Sequence, residues 1–134
     1  FPGSPKNPDA LMLVHGRKVY VEVTYSIRPD NEILPEHAVR RVRRKVAAKA
    51  CTQLAPADGP VVLVIGGGGY GEDYRTAFER IDGARKCRSV SAFVWAEHYC
   101  EDVKLYANRA AKHPLSMTEV EAIEACYYRR PGDR

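Results

Sequence analysis

Hydrophobic positions along the chain change period from segment to segment. Residues 10–14 form a short apolar run and residues 18–25 alternate at the two-residue period of strands, with a short turn at His15-Gly16-Arg17 between them, which predicts a β-hairpin. In the second strand Val19, Val21, Val23 and Tyr25 fall on one face, and Lys18, Tyr20, Glu22 and Thr24 on the other. Glu22 and Thr24 are therefore expected side by side, away from the more apolar face. Residues 28–34 read as a loop. From Pro35 to Leu54 the period becomes helical, with Val39, Val42, Val46, Ala50 and Leu54 on one stripe and Pro35 suited to a first helical turn. A Pro/Gly/Asp turn over 55–60 leads into the uninterrupted run Val61-Val62-Leu63-Val64-Ile65. Such a run predicts a strand buried on both faces, and hence helices on each side of a sheet.

After that strand come Gly66 to Gly69 and Gly71, then a helical pattern over 72–81 and a strand over 90–96. Residues 97–115 are less regular, with a short helix expected near 101–111 and ended by His113-Pro114. Ser116-Met117-Thr118-Glu119 is a capping-box pattern, which opens a last helix to about Tyr128. The order strand, strand, helix, strand, helix, strand, helix predicts an α/β fold with a mixed central sheet flanked by helices. Residues 1–8, with three prolines, read as an extended arm or a remnant, 9–128 as one domain, and 129–134 as a tail.

The chain has 134 residues, 45% hydrophobic and 28% charged, with a formal net charge of +4. That composition fits one folded domain rather than a disordered segment. No apolar run reaches the roughly 20 residues of a membrane span, so no membrane partner is expected. The four cysteines, Cys51, Cys87, Cys100 and Cys126, include no C-x-x-C pair, so zinc is not expected, and free thiols in a reducing, cytoplasmic setting are. The chain begins at Phe1, and a fragment of a larger or secreted protein stays open as the second reading.

Candidate chemistry sits in three places. Asp9 heads the first strand and Glu22 lies within the second, so a hairpin brings two carboxylates together, an arrangement that suits a shared Mg²⁺. The plain alternative is an Asp9 that caps a strand end and a Glu22 paired with Lys18 or an arginine. The helix carries Arg40, Arg41, Arg43, Arg44, Lys45 and Lys49 within ten residues, enough to neutralise several phosphates. The alternative there is a solvated helix face. Gly66-x-Gly68-x-x-Gly71 follows a buried strand, the context of a dinucleotide-binding turn. Glu72 and Asp73 would repel a phosphate there, and a glycine loop at the sheet edge is the simpler reading. The four histidines are scattered, and Phe93 and Trp95 are expected in the core or at a dimer face.

Pro8-Asp9 at the head of one strand, Glu22-Val23-Thr24 in the next, then a helix and a buried strand together resemble the PD-(D/E)xK nuclease superfamily over residues 8 to 65. The resemblance implies a restriction-endonuclease-like fold, with Asp9, Glu22 and the Val23 carbonyl holding Mg²⁺ or Mn²⁺. It implies metal-dependent cleavage of DNA or RNA, with Arg40, Arg41, Arg43 and Arg44 contacting the nucleic acid, and a homodimer that addresses two strands. Two departures stand out. Thr24 replaces the motif lysine, and the helix and strand expected ahead of Pro8 are not in this chain. In some members of the superfamily the basic residue has moved to the neighbouring helix. Lys45, Lys49 and Gln53 lie one turn apart on one face here, and Lys49 is the favoured replacement, with Lys45 second. Two other functions stay open: a non-catalytic module binding nucleic acid or protein on a degenerate nuclease fold, and a nucleotide-binding protein that uses the Gly66–Gly71 loop.

Overall fold

The N-terminal hairpin is set by a two-residue turn. His15 and Gly16 have φ of 49° and 80°, and positive φ at both central residues lets a tight turn match the twist of the strands it joins. It links β1 (Ala10–Val14) to β2 (Arg17–Tyr25), paired antiparallel from Val14↔Arg17 to Ala10↔Val21. The computed structural model describes residues 8–25, 35–66, 87–96 and 103–127. The arm over 1–7, the loop over 28–34, the glycine turn beyond Gly66, the helix expected over 72–81 and the tail lie outside the described residues.

Helix α1 (Pro35–Cys51) lies between β2 and β3 (Val61–Gly66) in the chain, and β3 runs parallel to β2. β4 (Ala92–Ala96) adds parallel to β3, and β5 (Val103–Ala107) closes the other edge antiparallel to β4. The sheet is thus mixed, five-stranded and in chain order, β1-β2-β3-β4-β5, an α/β architecture. The expectation that Val61–Ile65 is central holds, because β3 has two strands on one side and two on the other.

The two sheet faces form two cores. On one face Val46, Ala50 and Leu54, from α1 and the turn after it, pack with Tyr20, Val61, Leu63, Ile65 and Phe93. On the other, Ile123 of α2 (Met117–Tyr127) packs with Val14, Val19, Val62, Ala92 and Val94. Helices on opposite faces explain why β3 has apolar residues at every position. The buried side chains of this double core each contribute about 1.5–3 kcal/mol.

Two expectations are corrected. The segment near 101–111 contains no helix over Val103–Ala107, which pairs instead with β4 as the edge strand β5. A five-residue stretch with alternating Val103, Leu105 and Ala107 has too few residues for a stable helix, and a free sheet edge was available to it. Glu22 and Thr24 lie side by side on the face away from Val19, as expected, and that face is buried under α1. The polar alternation in β2 marks a site enclosed by a helix, not an outer surface. Finally, α1 ends at Cys51, where the Leu54 N–H donates to the Lys49 carbonyl at 3.1 Å, and Pro56 follows in the connecting turn.

The capping box forms as expected. The Glu119 N–H donates to Ser116 Oγ at 3.1 Å, and Glu119 Oε1 accepts the Ser116 N–H at 2.8 Å, which satisfies two donors at the helix start. Arg17 Nη1 donates to the same Oε1 at 2.9 Å, fixing α2 to the hairpin. No helix among the described residues is long and apolar enough to cross a membrane.

Candidate metal centre

The hairpin register brings the two carboxylates level. Ala10 pairs with Val21, so Asp9, one residue earlier, comes opposite Glu22, one residue later. Residues directly opposite in an antiparallel pair carry their Cβ atoms on one face, about 4.5–5.5 Å apart. The Val23 N–H donates to Asp9 Oδ2 at 2.6 Å, which ties the head of β1 to β2 beyond the last paired residue. In an extended strand a residue's N–H and C=O point to the same side. The Val23 carbonyl therefore faces the β1 side too, where Asp9 is.

Glu22 lies under the helix. Its Oε1 accepts Lys49 Nζ at 2.7 Å and Gln53 Nε2 at 2.9 Å. The Glu22 side chain is 5% exposed and that of Lys49 24% exposed. Glu22 Oε2 is buried without a hydrogen-bond partner among the described residues. A buried carboxylate oxygen left in this condition carries its full desolvation cost, about 1–3 kcal/mol or more for a charged group. Such an atom has the chemistry of a cation ligand, and the set Asp9, Glu22 Oε2 and the Val23 carbonyl is all hard oxygen, which fits Mg²⁺ or Mn²⁺. Clusters of three or more His, Cys, Asp or Glu side chains are absent among the described residues; this set has two carboxylates and a backbone oxygen.

The remaining sequence candidates divide. Lys49, in the last turn of α1, and Gln53, in the turn that follows the helix, both reach Glu22. Lys45, one turn earlier, does not: its Nζ donates to the Tyr25 carbonyl, at the C-terminal end of β2. Thr24 is buried in register with Ile65 and supplies no charge. Arg40, Arg43 and Arg44 are exposed along α1, and Arg41 is half-buried. The spacing of Lys45, Lys49 and Gln53 pointed to this row. The Asp9–Val23 tie is the strand-end cap that the plain alternative expects of Asp9.

Glu22 is level with Leu63 in the parallel pairing of β2 and β3, three residues short of its Tyr25↔Gly66 end. Neither a family model, nor a curated protein, nor a solved structure matches this chain.

Proposed function

We propose that the protein is a metal-dependent nuclease of the restriction-endonuclease-like type, acting on DNA or RNA. The observation that carries this reading is the buried Oε2 of Glu22, without a hydrogen-bond partner among the described residues, on the strand whose Val23 N–H is held by Asp9, with a lysine on the adjacent helix. Asp9, Glu22 Oε2 and the Val23 carbonyl would hold one Mg²⁺ or Mn²⁺, which when bound polarises a phosphate and lowers the pKa of a coordinated water.

The chain's own groups supply the rest. Lys49 Nζ lies against Glu22 and offers its remaining N–H donors to a phosphate oxygen as charge builds on it. It supplies from the helix the cation that Thr24 cannot supply from the strand. Lys45 holds the end of β2 through the Tyr25 carbonyl. Arg40, Arg43 and Arg44 present exposed positive charge along the same helix and would bind the phosphate backbone without reading its sequence.

One observation favours a second reading, a binding module without catalysis. Lys49 already neutralises Glu22 at 2.7 Å, so the fold does not require a cation to bury this carboxylate. Labelled plasmid, single-stranded DNA and tRNA incubated with Mg²⁺ or Mn²⁺ separate the two. The nuclease reading expects cleavage that disappears in Glu22→Gln and in Asp9→Asn. Salt-sensitive binding without cleavage, unchanged in both variants, would leave the binding module.

A further inference from the structure

We infer that Gln53 is the positioning residue that makes Glu22 a one-oxygen ligand, and that it thereby sets the site's preference for Mg²⁺ over Ca²⁺. The inference rests on the metal site proposed above and concerns a residue that touches neither metal nor substrate.

The argument starts from the unequal environments of the two Glu22 oxygens. Oε1 accepts two hydrogen bonds, from Lys49 Nζ at 2.7 Å and Gln53 Nε2 at 2.9 Å. Oε2 is buried with none among the described residues. A carboxylate held in this way offers a cation one oxygen. Mg²⁺ demands near-octahedral geometry and takes carboxylates sparingly, whereas Ca²⁺ accepts six to eight oxygens, often with bidentate carboxylates. Locking Oε1 therefore disfavours the larger ion more than the smaller one.

The two donors to Oε1 are not equivalent. Lys49 is charged, and its side chain is 24% exposed. If Lys49 turns to a phosphate, its bond to Glu22 weakens when substrate arrives. Gln53 is neutral, half-buried and lies in the turn after α1, between Cys51 and the buried Leu54. That position gives Glu22 a donor that does not leave with the substrate. Partners that orient a metal ligand commonly cost about 10–100-fold in metal affinity when removed.

Gln53→Met keeps the side chain's length and removes the donor. Isothermal titration of the whole chain with MgCl₂ and with CaCl₂, without nucleic acid, reads the ratio of the two affinities. Gln53→Asn, too short to reach Oε1, serves as an independent second variant. The expected result is that both variants lose about tenfold in Mg²⁺ affinity and much less in Ca²⁺ affinity, so the ratio narrows. Equal losses for both ions, or no loss, with metal still bound by the unaltered protein, would overturn the role of Gln53 and leave the nuclease reading intact. Absence of metal binding in the unaltered protein would overturn the metal site itself, and this inference with it. A narrowed ratio in a protein that cleaves nothing would uphold Gln53 while ending the nuclease reading.

Discussion

Lys49→Met and Glu22→Gln remove opposite halves of one ion pair, and their effects on stability should be unequal. Lys49→Met leaves the Glu22 carboxylate, 5% exposed, with one oxygen unpartnered and the other held by Gln53 alone. Breaking a buried pair in this direction costs about 3–5 kcal/mol. Here the lysine is 24% exposed and Gln53 still donates to Oε1, so the expected loss is lower, about 2 kcal/mol. Glu22→Gln removes the buried charge instead. The amide oxygen can take over Lys49 and Gln53, its NH₂ group replaces the orphaned Oε2, and the quarter-exposed lysine reaches water. The expected cost is under about 1 kcal/mol. For a chain of this size about 1 kcal/mol moves the melting temperature by roughly 3–4 °C. Thermal unfolding followed by circular dichroism at pH 7 should show Lys49→Met melting roughly 6–8 °C lower and Glu22→Gln nearly unchanged. Added Mg²⁺ at ten times its dissociation constant should stabilise the unaltered protein by about 1.4 kcal/mol and leave Glu22→Gln unmoved. If Glu22→Gln melts as early as Lys49→Met, and Mg²⁺ shifts neither variant nor the unaltered protein, the pair is structural and the reasoning fails.

Arg40→Ala, Arg43→Ala and Arg44→Ala should each weaken nucleic-acid binding across sequences and lower the slope of log affinity against log salt by about 1, as read by fluorescence anisotropy from 50 to 200 mM salt. Ser116→Ala should cost about 1 kcal/mol through the lost cap, read by urea unfolding. Burial pushes the Glu119 carboxyl up, but the Ser116 N–H and hydroxyl and the Arg17 guanidinium outweigh it and hold it below its ordinary value of 4.5. A depressed carboxyl stabilises the fold above that value and loses the contribution as pH falls through the lower folded value, so Glu119→Gln should flatten the acid side of the stability profile. The Asp58 carboxylate that accepts the Tyr20 hydroxyl at 2.7 Å, together with burial and the Asp58 charge, raises Tyr20 above 10.0. Its contribution is present below 10.0 and lost as pH rises through the higher folded value, so Tyr20→Phe should reduce the loss of stability in alkaline melts.

Much of the architecture was written in local pattern. The hairpin turn, the two-sided strand Val61–Ile65, the stripe of α1 and the capping box at Ser116 follow from period, turn chemistry and capping, each a property of a few adjacent residues. The row Lys45, Lys49 and Gln53 could be read the same way, because helical spacing alone puts three such residues on one face. Which of them meets Glu22 could not be read. That depends on how α1 lies over β2, a packing decision taken by Val46, Ala50 and Leu54 against Tyr20, Leu63 and Ile65, and it places Lys49 and Gln53 on the carboxylate and Lys45 on the Tyr25 carbonyl. The same packing buries Glu22 under α1. Val103–Ala107 is a strand because β4 had a free edge, and no five-residue window carries that information. Periodicity tells which residues share a face; only tertiary structure decides what that face meets, because burial and partner choice are properties of the assembled layers rather than of any one segment.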